Sequence, residues 1–142
     1  MFKKIFIASD HTGKNVTQLL TYFLQVKGFE VCEIKFNEKM DYTDIAKEVS
    51  SQVLNSTASL GVLICGSGVG VSIVANKFKG IRAALCHSVQ ISELSRKHNN
   101  ANVLCLGARI VEPDEQIKIL EAFLKTEFEG GRHAIRLQKI EI

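Results

Sequence analysis

No two of the four cysteines in this chain stand at the Cys-x-x-Cys spacing of a zinc ribbon or a redox motif. Cys32, Cys65, Cys86 and Cys105 each lie in or at the end of an apolar run, which reads as reduced thiols of a cytoplasmic protein and not as a disulfide framework. No apolar run reaches the ~20 residues that a membrane helix needs, so no membrane attachment is expected. A secretory leader is not expected either: Lys3 and Lys4 precede a short strand-like run that ends in Asp10 and His11. The net charge is only +3, without a Lys/Arg block or an aromatic-basic stripe, which argues against nucleic acid as a partner. There is no HxH, no HExxH and no carboxylate cluster, so no metal site is expected. Internal repeats, low-complexity stretches and interdomain linkers are missing as well. The 142 residues therefore read as one domain, long enough to bury roughly 68–70% of its unfolded surface without disulfide or metal.

What the chain does have is a regular alternation of strand-like and helix-like segments. Ile5–Ala8, Phe29–Ile34, Val62–Cys65, Ile81–Cys86 and Val103–Leu106 read as strands. Between them, Val16, Leu19, Leu20, Phe23 and Leu24 recur at helical spacing, and Gly28 stops that helix. Further helices are expected over Thr43–Leu54, Val71–Phe78 and Ser88–His98, the last with Ile91, Leu94 and His98 on one face. Another starts at Pro113, where Asp114 and Glu115 suit the first turn and Ile117, Leu120 and Leu124 form the stripe. After Gly130-Gly131 a short helix carries Arg132–Ile140. Alternation of this kind implies an α/β fold: a three-layer αβα sandwich around a five-stranded parallel, Rossmann-like sheet. Ligands of such sheets sit beyond the carboxyl ends of the strands. The chemistry-bearing residues follow strands here: Ser9-Asp10-His11, Cys65–Gly70 and Gly107-Ala108-Arg109.

Cys65-Gly66-Ser67-Gly68-Val69-Gly70 carries the most information. A cysteine closes a buried strand, and alternating glycines let the backbone turn and present several N–H groups to a ligand. A helix starting just beyond favours thiolate over thiol. The loop is not a phosphatase loop, since Val71 stands where arginine is needed. It is not a P-loop, and its GxGxG spacing differs from the dinucleotide GxGxxG. A plain turn is the bland alternative. Asp10 could be functional or only a helix cap. His98 could be functional or a packing histidine. Arg132 and Arg136, one helical turn apart, could clamp a phosphate with Arg109 and His11, or simply form a solvated basic face. His87 and His133 read as structural or peripheral.

Taken together, Ser9-Asp10-His11, Asp41-Tyr42, Cys65–Gly70, Ala75-Asn76-Lys77, Gly80–Ala83, His98-Asn99, Ala101–Leu104, Gly107–Arg109 and Gly130–His133 with Arg136 resemble, in order, the ribose-5-phosphate isomerase B family, with its allose- and galactose-6-phosphate isomerases. The resemblance covers nearly the whole chain. It implies an aldose–ketose isomerase of the pentose phosphate pathway that works through a cis-enediol on ribose and ribulose 5-phosphates, without metal or organic cofactor. A six-carbon sugar phosphate is the alternative substrate, and a non-catalytic sugar-phosphate-binding subunit the alternative function. By resemblance, Cys65 would be the base between C1 and C2, Ser67 would help the sugar oxygens exchange a proton, and the N–H groups of Gly66, Gly68 and Gly70 would hold the enediolate. His98 with Asp10 would open the furanose ring, Asn99 and Tyr42 would contact the sugar, and His11, Arg109, Arg132 and Arg136 would bind phosphate. The resemblance also implies a homodimer or dimer of dimers with shared active sites, the C-terminal helix at 131–141 completing the partner's site. Three departures stand out: Asp41-Tyr42-Thr43 replaces Asp-Tyr-Pro, Asn100 stands where aspartate is usual, and the link before Asp41 is short. Some members carry a glutamate base near the position of Ser72 instead of the cysteine; Cys65 places this chain in the cysteine branch.

Overall fold

Each long strand is apolar at successive positions because both of its faces are covered. Ile5 and Ile7 of β1 (Lys4–Ser9) point into one core with Leu60, Val62 and Ile64 of β3 (Ser59–Cys65) and Leu104 and Leu106 of β5 (Val103–Gly107). The intervening Phe6, Ala8, Leu63, Cys65, Val103 and Cys105 point into a second core on the opposite face. Strands β2 (Glu30–Glu33) and β4 (Ala83–Leu85) form the edges. Among the residues described by this computed structural model, 2–142, the five strands pair in parallel in the order β2-β1-β3-β5-β4.

Helices α1 (Lys14–Val26) and α5 (Pro113–Lys125) cover the first core, and α4 (Val89–Asn99) packs beside α5. Helices α2 (Tyr42–Leu54) and α3 (Val69–Ala75) cover the second, so the three-layer sandwich and its parallel sheet stand as expected. A single 3-10 turn, His11–Gly13, leads from β1 into α1, and α6 (Arg132–Leu137) closes the chain.

Several boundaries differ from those read in the sequence. Helix α3 begins at Val69 rather than Val71, because Gly68 in the left-handed region (φ 80°) turns the chain at once. The last helix ends at Leu137, and its continuation tightens into turns whose end is tied by the Glu141 carboxylate accepting from the Gly80 N–H at 3.0 Å. In α5 the buried stripe runs Gln116, Ile119, Leu120, Phe123. Gln116 is fully buried because its amide donates to the carbonyls of Val111 and Gly107.

The largest difference is in α4. Its buried face is Ser92, Ser95 and Arg96, while Ile91 is 47% exposed and His98 half-buried. The Ser92 hydroxyl donates to the Ile119 carbonyl at 2.8 Å. Arg96 lies between the rings of Phe2 and Phe123, and donates to Thr126 O, Asn100 Oδ1 and Ala101 O. Buried polar groups persist where each has a partner. The face bearing Ile91, Leu94 and His98 is thereby turned outward.

Candidate active site

Strand β3 delivers Cys65 to the carboxyl edge of the sheet, and the chain turns there in very little space. A Cβ on Gly68 would lie 2.5 Å from Leu85 Cδ1 and 2.9 Å from the Leu106 carbonyl carbon. Gly107 faces the same constraint, since a Cβ there would meet Ser67 O at 2.6 Å. This close approach lets the loop after β5 clasp the loop after β3: Ala108 N–H donates to Cys65 O at 2.8 Å and Arg109 N–H to Gly66 O at 3.0 Å. The Arg109 side chain consequently lies over Gly66.

Cys65 is 5% exposed, so its sulfur sits at a surface just open to the pocket. The Gly68 N–H donates to Sγ at 3.2 Å. The Val69 N–H donates to Ser67 Oγ at 3.2 Å. Across the crevice Asp10, 8% exposed, accepts from the Thr12 N–H at 2.9 Å and from its hydroxyl. Asp10 is therefore a cap, as the bland reading had it, and it also lines the pocket. Tyr42 opens α2 and lays its ring across Gly70, where a Cβ would come within 2.6 Å of Cε2. Asp41 caps that helix: Thr43 N–H donates to it at 2.8 Å and Asp44 returns a bond to the Asp41 N–H. The hydrogen bonds from Thr43, side chain first, hold the Asp41 carboxyl below its ordinary value.

Asp10, His11, Tyr42, Cys65, Gly66, Ser67, Gly70 and Arg109 thus line one open cavity of about 720 Å³ at the junction of β1 and β3. Gly68 lies beneath it as the pivot. Val69, Ile73 and Ile110, which the sequence reading did not single out, form an exposed apolar rim. The other cysteines take no part. Burial pushes the Cys86 thiol up to about 11 and the fully buried Cys105 thiol well above its usual value.

His98, Asn99, Arg132 and Arg136 are not in this cavity. Helix α4 runs back from the carboxyl edge, and its end at Asn99 is pinned beside the start of β3: Asn102 O accepts from Gly61 N–H, and Arg82 Nε donates to Asn99 O at 2.9 Å. Gly61 and Cys65 are separated by four residues, about 13 Å of strand. Within a single chain Arg132 and Arg136 therefore lie apart from His11 and Arg109. There they form, with His98, a second cluster around α6. In it the His98 and His133 rings stack at 4.3 Å, with Glu129 Oε1 at 3.9 Å from His98 Nε2 and 3.6 Å from His133 Nε2. The sequence reading missed Glu129 and set His133 aside. The only available signal was its place directly after Gly130-Gly131-Arg132.

The ribose/galactose isomerase family model matches residues 5–140 of the chain. The probable ribose-5-phosphate isomerase B of Mycoplasma genitalium is 49% identical over 140 residues, covering 96% of this chain and 92% of that protein. Ribose-5-phosphate isomerase B of Escherichia coli K12 is 40% identical, with 97% and 94% covered. The solved structure of the Mycoplasma genitalium ribose-5-phosphate isomerase B with bound ribulose 5-phosphate superposes with a TM-score of 0.92 at 48% identity, over 99% of this chain and 95% of that one.

Proposed function

The chain belongs to the ribose/galactose isomerase family, and from that premise we propose that it interconverts ribose 5-phosphate and ribulose 5-phosphate with the Cys65 sulfur as its base. The observation that carries the assignment of the base is a sulfur at the mouth of the cavity, with a backbone N–H donated to it and Asp10, His11 and Arg109 around it. The Cys65 thiolate takes the proton from C2 of the open-chain aldose, and the electron pair moves onto the aldehyde oxygen to give a cis-enediolate. Ser67 assists proton exchange between O1 and O2. The proton then returns from sulfur to C1, which leaves the ketone at C2.

The carbon acid is weak, so the base needs help from donors aimed at the oxyanion, each worth roughly 2.7–4 kcal/mol when well placed. Gly68 and Val69 spend their N–H groups on Cys65 and Ser67. The donors for the oxyanion are then the N–H groups of Gly66, Ser67 and Gly70. His11 and Arg109 take the phosphate, far enough from C1 and C2 for binding to orient the reacting carbons.

The remaining residues reach this cavity from a second copy of the chain. Each copy would offer its own Cys65 pocket and, on its other end, the His98, Asn99, Arg132 and Arg136 cluster. Exposed apolar residues on both parts support such an isologous pair: Val69, Ile73 and Ile110 at the pocket, Ile135 on the helix of the cluster. His98 would then act as imidazolium, giving a proton to the ring oxygen while Asp10 takes the proton of the O1 hydroxyl, which opens the furanose. Four free thiols fit a reducing cytoplasmic compartment; among the described residues, no helix is long and apolar enough to cross a membrane.

The test is incubation of the purified protein with ribose 5-phosphate in deuterated water. Conversion to ribulose 5-phosphate with deuterium at C1 is expected. Absence of both would favour a non-catalytic sugar-phosphate-binding subunit. Parallel assays with allose and galactose 6-phosphates decide between five- and six-carbon substrates.

A further inference from the structure

We propose that His133 and Glu129 are positioning residues for His98: stacking fixes its ring, and the carboxylate beside it favours its acid form. This rests on the reading of His98 as the ring-opening acid. The two rings are 4.3 Å apart and only 13° from parallel. Two imidazolium charges at that separation repel, so a proton on one ring opposes a proton on the other. Glu129 reaches both Nε2 atoms, at 3.9 and 3.6 Å, and favours such a charge.

Burial decides which ring carries it. The His133 side chain is 8% exposed and that of His98 38%. Desolvation first, then His98 and Arg132, hold the His133 pKa below its ordinary value. Arg136 on α6 works in the same direction, while on α4 the Lys97 ammonium pairs with Glu93 at 4.0 Å. His133 is therefore held as the neutral ring, and His98 is the ring open to a sugar.

The chain is built to make this arrangement. The Glu129 N–H donates to Lys97 O at 3.1 Å, which ties the loop to the last turn of α4. Gly130 and Gly131, at φ 69° and 56°, then reverse the chain so that α6 brings His133 onto His98. His133 Nε2 is buried without a hydrogen-bond partner and faces the carboxylate. The donor atoms of His98, Glu129 and His133 lie within 4.8 Å of one another. A shared metal ion would need the in-plane nitrogen lone pairs to converge, whereas in stacked rings they run side by side. The trio suits a proton and not an ion.

The test uses the full-length chain carrying Glu129→Gln, His133→Ala, His133→Phe or, as reference, His98→Ala, with two readouts. One is turnover of ribose 5-phosphate, which needs ring opening. The other is exchange of deuterium from solvent into C1 of ribulose 5-phosphate, whose O5 bears the phosphate and so cannot close a ring. Glu129→Gln should move the alkaline limb of the ribose 5-phosphate profile down by about one pH unit. His133→Ala should lower ribose 5-phosphate turnover about tenfold, and His133→Phe, which keeps a flat ring on His98, should restore it. Exchange into ribulose 5-phosphate should persist in all of these. An unmoved alkaline limb in Glu129→Gln, no rescue by His133→Phe, or equal loss of both readouts overturns the proposal. Full ribose 5-phosphate turnover in His98→Ala would instead overturn the ring-opening reading beneath it.

Discussion

The backbone N–H of Gly68 donates to the sulfur of Cys65 across 3.2 Å, so the residue that turns the chain also holds that sulfur in place. Gly68 can do this only in the left-handed region at φ 80°, packed against Leu106 and Gly107. Strand end, turn and sulfur form one local unit, which explains why a six-residue stretch carried so much of the functional reading.

Removing the sulfur tests its role. Cys65→Ala should lower kcat by at least roughly 10²–10⁴-fold, the usual contribution of a positioned base, while sugar-phosphate binding measured by calorimetry survives. Iodoacetamide at pH 8 followed by mass mapping should leave Cys86 and Cys105 unmodified in the folded protein, since burial holds both thiols protonated.

Gly68→Ala should destabilise the fold as well as the site. The left-handed backbone alone costs about 1–2 kcal/mol, and the added methyl would press on the backbone of β5. A fall in Tm of roughly 4–8 °C is expected by calorimetry, from about 2 kcal/mol in a domain of this length. An unchanged Tm would mean that the turn relaxes without cost.

Shared sites can be tested by mixing subunits. Cys65→Ala and His98→Ala should each be inactive with ribose 5-phosphate alone. Co-refolded, half of the chains being of each kind, they should recover activity, because a mixed dimer contains one site with both residues intact. Failure to recover, with dimers present by light scattering, would place the whole site in one chain.

The Asp41 cap gives a pH dependence. Its carboxyl is held below the usual 3.8, chiefly by the Thr43 side chain, so the folded state binds this proton more weakly than the unfolded one. Its stabilisation is present above the unfolded carboxylate range and is lost as pH falls through the lower folded value. Asp41→Ala should therefore lower Tm at pH 7 and converge with the parent at strongly acid pH. Because Tyr42 is the first residue of the helix so capped, KM for the sugar phosphate should rise as well.

Much of this protein was legible in its residues because the deciding interactions are local. Runs such as Leu60–Ile64 are apolar at every position only when a strand is covered on both faces, which announces a parallel sheet. Cys65–Gly70 announces a sharp turn after such a strand. The place of β5 between β3 and β4, which brings Arg109 over Gly66, depends on contacts between distant segments and came only with the tertiary structure. So did the orientation of α4, where periodicity pointed Ile91, Leu94 and His98 inward. The buried Arg96, between Phe2 and Phe123, outweighed that pattern and turned His98 out to stack on His133. Periodicity registers which residues share a helix face. Which face is buried depends on the partners that satisfy it, and those lie far along the chain.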